Sequence, residues 1–243
     1  MSRRTTAIAA ALSVLALGSP LITARANPSF VQVFNQGVER YGASDYRGAI
    51  AAYTKAIEIN PQSAETYNYR GDAKHNLQDY QGAIADYTKA IEINPQFDEA
   101  YSNRGISKAL LKDNQGAITD FTKAIQINPQ NAIAYNNLGI SKRGLKDYQG
   151  AIADFNKAIA INPRYALAYY NRGVAKGMSN DYQGAIADYT QAIEIDPKFA
   201  SAYLNRGIDR ERLNDLKGAC RDWRKAAGLG RERAAEWVKN QCS

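Results

Sequence analysis

The sequence predicts an all-α fold, a linear stack of six helix-turn-helix units closed by one extra helix. Three observations carry that expectation. Pro61, Pro95, Pro129, Pro163 and Pro197 recur every 34 residues, and a fixed period of this length marks a repeat architecture. Two glycine columns keep the same step: Gly37, Gly71, Gly105, Gly139, Gly173 and Gly207, then Gly48, Gly82, Gly116, Gly150, Gly184 and Gly218. Within each unit, apolar residues recur at helical spacing, as in Ala83, Ile84, Tyr87, Ala90 and Ile91. The units are 30–63, 64–97, 98–131, 132–165, 166–199 and 200–233.

Unit 64–97 shows how each is built. Helix A is expected over Ala64 to Leu77, contributing Tyr67, Gly71 and Leu77 to the core, and Gln78-Asp79 makes a short turn. Asp79 and its column, Asp45, Asp113, Asp147, Asp181 and Asp215, are placed to cap helix B. A carboxylate there accepts orphan backbone N–H groups and complements the helix dipole. Helix B runs from Tyr80 to Ile93 and stops at Asn94-Pro95, because a residue before proline is pushed out of helical geometry. Gly71 and Ala83 allow close helix approach while Tyr67 and Tyr87 fill the remaining space. One such pair cannot bury its apolar faces alone, so neighbouring pairs must cover them.

The pattern Tyr67, Gly71, Ala83, Tyr87, Ala90 and Pro95 at this period resembles the tetratricopeptide repeat (TPR) over residues 30–233. The resemblance implies a right-handed α-solenoid whose A helices line a concave face, and a role as a scaffold that binds protein segments. It covers all six units, though the two ends depart from the pattern. The first has Val33 where the others have tyrosine; the last has Trp223 in the Tyr87 column and Gly228-Leu229-Gly230 in place of Asn-Pro. A further helix, about Glu232 to Gln241, is expected to cap the stack, with 234–243 as the segment beyond the sixth unit.

Residues 1–26 read as a signal peptide. Arg3 and Arg4 precede an apolar run over Ala7 to Leu17, a Gly18-Ser19-Pro20 break and an Ala24-Arg25-Ala26 cleavage site. Cleavage is expected before Asn27, leaving no segment apolar enough to span a bilayer and placing the protein in the periplasm or a comparable extracytoplasmic compartment. An uncleaved anchor is the alternative, but the run is short for a span of about 20 residues.

The formal charge is +7, yet residues 27–199 hold 18 basic and 18 acidic side chains and the excess lies at the two ends. That balance excludes the basic stripe of a nucleic-acid binder. Catalysis finds no foothold either. His75 is the only histidine, the glycines belong to the repeat, and the carboxylates read as caps and ion-pair partners. No enzyme activity, metal site or cofactor is expected.

Cys220 and Cys242, the only cysteines, flank the last turn. A disulfide between them is permitted in an exported protein; two unpaired thiols are the alternative. A basic column, Arg40, Lys74, Lys108, Lys142, Lys176 and Arg210, runs beside Arg70, Arg104, Arg172 and Arg206 and faces an acid column, Asp86, Asp120, Asp154, Asp188 and Asp222. The first unit has Gln36 and Ala52 in place of arginine and acid, so the two change together. These columns read as partly exposed salt bridges between helices A and B, and only secondarily as a ladder for an anionic ligand.

The candidate binding surface is a column of asparagines, Asn35, Asn103, Asn137, Asn171 and Asn205, interrupted by Tyr69. An amide donates and accepts at once, which suits the backbone of an extended peptide; the alternative is that these amides satisfy neighbouring groups. Beside it lies an apolar column, Val38, Ile106, Ile140, Val174 and Ile208, broken by Asp72, which Ile133, Leu167, Tyr170 and Leu204 extend. Exposed, such a strip calls for a protein or peptide partner; otherwise it belongs to the inter-repeat core. The carboxylate clamp of some family members is not expected, because Phe34, Val38, Tyr69, Glu99 and Asn103 stand at its positions. A structural or envelope-associated protein that self-assembles through its solenoid edges is the competing function.

Overall fold

The computed structural model describes residues 28–242; the expected leader lies outside them. Among the described residues there are 13 α-helices and no strand. The first unit holds α1 (Phe30–Gly42) and α2 (Tyr46–Ile59), the second α3 (Ala64–Asn76) and α4 (Tyr80–Ile93). The third holds α5 (Asp98–Leu110) and α6 (Asn114–Ile127), the fourth α7 (Ala132–Gly144) and α8 (Tyr148–Ile161). The fifth holds α9 (Ala166–Met178) and α10 (Tyr182–Ile195), the sixth α11 (Ala200–Arg212) and α12 (Leu216–Gly228), and α13 (Glu232–Gln241) follows. Each helix packs on its neighbours in sequence, which is the α-solenoid the period predicts.

Both glycine columns have a steric cause. A Cβ on Gly71 would stand 2.6 Å from Tyr87 Cε1, and one on Gly105 would stand 2.8 Å from Phe121 Cε1. The bare backbone of helix A is therefore the floor on which the large ring of helix B lies. The second column answers to the caps. Asp79 Oδ1 accepts from Gly82 N at 2.9 Å, and Asp113, Asp147 and Asp181 repeat the bond with Gly116, Gly150 and Gly184. A Cβ on any of these glycines would overlap the capping carboxylate.

The turn between the helices holds a feature that composition conceals. Ser44, Gln78, Lys112, Lys146, Asn180 and Asn214 all have φ between 60° and 66°. In the second unit Asp79 N donates to Lys74 O at 3.0 Å, closing helix A in a Schellman motif around Gln78. Glycine or asparagine favours this conformation, whereas serine, glutamine and lysine adopt it at a cost. Leu77, expected in the core, is the C-cap of α3 and is exposed; the turn lifts it away from the Gly71–Tyr87 contact.

The expected salt bridges are present, but their setting differs from the partly exposed pairs that the sequence suggests. Asp86, Asp120, Asp188 and Asp222 are 2–4% exposed. Arg104 grips Asp120 with two bonds, Nε to Oδ2 at 2.9 Å and Nη2 to Oδ1 at 2.7 Å, while Lys108 Nζ adds a contact at 2.8 Å. The third arginine nitrogen, Nη1, donates to Thr88 Oγ1 of the preceding unit at 3.0 Å. Arg70 and Arg206 reproduce the arrangement with Thr54 and Thr190, and Arg172 does so with Asn156 Oδ1 in place of the threonine. Each such arginine also stacks over a tyrosine of its own helix, with Arg104 5.6 Å from the Tyr101 ring. These buried clasps join helix A to helix B and each unit to the one before.

The fourth unit lacks the arginine. Leu138 fills its place, packed with Ala117 and Phe121. Asp154 keeps only Lys142, 2.7 Å from Oδ2, so burial pushes its carboxyl up while Lys142 only partly opposes that.

At the C-terminal end, α13 lays Ala234, Trp237 and Val238 over α12, where Trp223 is fully buried and its ring centroid is 5.1 Å from that of Trp237. Cys220 and Cys242 are joined by a disulfide, with their Cα atoms 5.5 Å apart. Arg224 Nη2 donates to Cys242 O at 2.7 Å, holding the chain end against α12.

Candidate functional site

The solenoid's curvature defines its groove. Helices α3 and α5, α5 and α7, α7 and α9, and α9 and α11 touch across successive units, while the B helices of successive units do not pack closely. The A helices therefore crowd the inner side and line the concave face.

One rim of that face is open. Ile133 is 59% exposed and Leu167 41%, with Val31 and Tyr69 continuing the rim toward the N-terminal end. The second column splits in character. Val38 is exposed, whereas Ile106, Ile140, Val174 and Ile208 are half-buried, with Ile106, Ile140 and Val174 packed against the cores beneath them. The strip thus belongs in part to the inter-repeat core and presents only its edges to a ligand.

The asparagines divide in the same way. Asn171 is 4% exposed and gives its amide to Asn136 Oδ1 at 2.9 Å, so it lies between helices and cannot reach a ligand. Asn103 Nδ2 donates to Asp72 Oδ1 at 2.9 Å and more weakly to Asn68 Oδ1. Asn205 Nδ2 donates to the Tyr170 hydroxyl at 3.1 Å. Asn137 Oδ1 accepts from Asn136 Nδ2 at 3.3 Å. Asn35 is exposed. The column thus stitches successive A helices together through the residue one place earlier in the preceding unit: Asn68, Asn136 or Tyr170. Asn35, Asn137 and the free edges of Asn103 and Asn205 remain on the groove.

Sequence reasoning passed over the charged members of this face. Asp72 is half-buried between α3 and α5. Its Oδ1 accepts from the Tyr87 hydroxyl at 2.7 Å and from Asn103, and no cation stands within ion-pair distance among the described residues. Burial pushes its carboxyl up to about 6, although the Tyr87 bond opposes that shift. Asp209 is buried in α11, and burial raises it to about 6 despite Arg212, whose Nη1 is 3.4 Å away. Arg143 on α7 is half-buried beside Tyr170 and Tyr189. Burial lowers its basicity, and no carboxylate neutralises it among the described residues. The clue to Asp72 was its interruption of an apolar column; Arg143 carried no such signal, since its column varies from unit to unit.

Charge follows the same division along the stack. Residues 27–100 hold 10 acidic and 6 basic side chains, and residues 101–199 hold 8 acidic and 12 basic. On the groove itself, Glu65 and Glu99 are exposed on α3 and α5, and Arg143 is half-buried on α7.

This architecture has counterparts. The tetratricopeptide repeat family model matches residues 132–165 and 166–199, and a second TPR repeat model matches 39–78, 71–112 and 109–142, together more than half of the chain. The chain belongs to the tetratricopeptide repeat family. A crystal structure of MamA is 29% identical, covers 68% of this chain and 96% of its own, and superposes with a TM-score of 0.62. YrrB, described as a TPR protein with an unusual peptide-binding site, is 23% identical over 78% of this chain and 98% of its own, with a TM-score of 0.63. PilW, described as a type IV pilus biogenesis factor, is 19% identical over 88% of this chain and all of its own, with a TM-score of 0.77; at these identities YrrB and PilW attest the fold alone. No curated protein matches the sequence. As a TPR protein the chain has the build of a protein–protein interaction scaffold, and the family is generally non-catalytic. No helix among the described residues is long and apolar enough to cross a membrane.

Proposed function

We propose that the protein is an exported adaptor that holds a segment of another protein in the groove formed by α1, α3, α5, α7, α9 and α11. The observation that carries this reading is the contrast in side-chain use. The basic and acidic columns are consumed in buried clasps, whereas Ile133, Leu167, Tyr69, Asn137 and Arg143 face the groove with little to satisfy them internally. Exposed apolar side chains rimmed by polar groups mark an interaction surface. The described peptide-binding site of YrrB is consistent with this use of the fold.

The site residues of this reading are Asn35, Asn103, Asn137, Asn205, Ile106, Ile140, Val174, Ile208 and Tyr170; Asn171 serves instead as a strut between helices. Replacing the exposed Ile133 and Leu167 by Asp tests the reading, because neither packs in the core. The expected outcome is loss of partner capture from the native compartment with an unchanged melting temperature; undiminished capture would refute the groove.

Export rests on the leader, residues 1–26, and on the Cys220–Cys242 bond, which persists in oxidising compartments. N-terminal sequencing of protein from the periplasmic fraction is expected to begin at Asn27; a chain that begins at Met1 and sediments with membranes would replace cleavage by anchoring.

A further inference from the structure

We infer that the hollow between α3 and α5 receives the cationic side chain, arginine or lysine, of the bound segment; the inference rests on the groove reading above. The hollow has a volume of about 490 Å³, and Glu65, Asp72 and Glu99 line it with no basic residue among its walls. Its floor holds a polar atom that nothing satisfies. Ser102 is 9% exposed, it lines the hollow, and its Oγ has no hydrogen-bond partner among the described residues. A buried hydroxyl without a partner costs free energy that an incoming donor recovers.

Asp72 gives the second argument. Each acid of the helix-B column is buried against at least one cation, and Asp86, Asp120, Asp188 and Asp222 against two. Asp72 is half-buried with neutral partners only. A desolvated carboxylate is stabilised when a counter-charge arrives. Glu65 and Glu99 stand exposed at the mouth, where Asp98 beside Glu99 raises the carboxyl of Glu99. The neighbouring acids therefore crowd like charge that a cation would relieve.

The remaining wall selects the kind of cation. Tyr69, Ile106 and Ile133 also line the hollow, offering apolar and aromatic surface to an aliphatic stem. Among the described residues no cluster of acids and histidines is close enough to hold a metal ion. The carboxylates are spread around a cavity, which suits a long organic cation rather than a compact ion. Arg143, paired with no carboxylate among the described residues, sits farther along the groove and disfavours a second cation there.

The test uses two pools of acetylated, amidated nonapeptides with randomised flanks, one with a central arginine and the other with citrulline, its uncharged isostere. Peptides retained by the immobilised protein are counted by mass spectrometry. The expected result is about tenfold enrichment of the arginine pool, equivalent to about 1.4 kcal/mol, and loss of that enrichment in the E65Q/E99Q variant while other peptides are still retained. Both glutamates are exposed, so the variant keeps its fold, and an unchanged melting curve checks this. Equal retention of the two pools, or enrichment that survives E65Q/E99Q, would overturn the cation pocket and leave the groove standing. Failure to retain either pool would overturn the groove and the pocket with it.

Discussion

The seam between helices A and B and the concave groove are built from the same repeats, yet they use charge in opposite ways. In the seam, Asp120 is almost fully enclosed and is matched by Arg104 and Lys108. In the groove, among the described residues, half-buried Asp72 has no cation and half-buried Arg143 has no anion within ion-pair distance. The seam recurs in four units nearly atom for atom, with Lys142–Asp154 as a reduced version, whereas groove positions such as Tyr69, Asp72, Ile133 and Arg143 have no like counterpart in most units. Positions that repeat serve the stack, since every unit must meet its neighbour in the same way. Positions that break the repeat have no such duty and are free to serve a ligand.

The largest expected effect falls on the seam. Asp120→Ala removes the acceptor for two cations, Arg104 and Lys108, and unties α5 from α6. A loss of about 3 kcal/mol in urea unfolding is expected. A change below half that would return these pairs to the modest class of exposed ion pairs.

The C-terminal end extends the comparison, because there the next unit is replaced by a helix and a covalent bond. Cys220 and Cys242 are separated by 22 residues, and closing such a loop is worth about 3 kcal/mol. Cys242→Ser is expected to fray α13 and raise amide exchange in Trp237 and Val238, with little change in α3 to α9. Uniform loss across the stack would mean that the end is not a separate cap.

Asp72→Asn should act with the opposite sign to the seam variant. The folded carboxyl titrates near 6, against 3.8 for the ordinary group. Protonated, it is tolerated; ionised, it is desolvated without a counter-charge. Stability from this residue is therefore fully present below about pH 4 and lost as pH rises through 6. Asp209 adds in the same direction over the same window. The D72N/D209N variant is expected to be more stable than the parent at pH 7 by about 1–2 kcal/mol and to show a flatter stability profile between pH 4 and 7. A destabilised variant would show that these acids serve the stack after all.

The smallest effect tests the turn. Lys112 has φ 65°, a conformation that glycine adopts without strain, so Lys112→Gly is expected to stabilise by about 1 kcal/mol in thermal unfolding. Destabilisation would show that the lysine side chain outweighs its backbone cost.

The fold was legible because its determinants recur. Pro95 has four counterparts at the same step and Gly71 and Asp79 have five each, and each has one local reason: a stop, a ring contact, a cap. The left-handed turn residues were not legible. Ser44, Gln78 and Lys112 are forced there by the closing of helix A and betray nothing in their identity. Burial of the seam was underestimated, since spacing reveals which residues pair but not how completely neighbouring units cover them. In the groove, the asparagine column was visible while its division of labour was not. Asn171 and Asn137 occupy equivalent positions, yet Asn171 is enclosed where Asn137 is half-open, because the side chains around each differ. Asp72 and Arg143 depend on contacts between units, which no single repeat displays.

Site-specific photo-cross-linking tests the central claim most directly. A photoreactive residue at Leu167, on the groove rim, is compared with one at Thr122, exposed on helix α6. The expected result is a partner adduct from Leu167, mapping to one continuous segment, and none from Thr122. The same adduct from Thr122 and none from Leu167 would contradict the account and move the binding surface to the B helices.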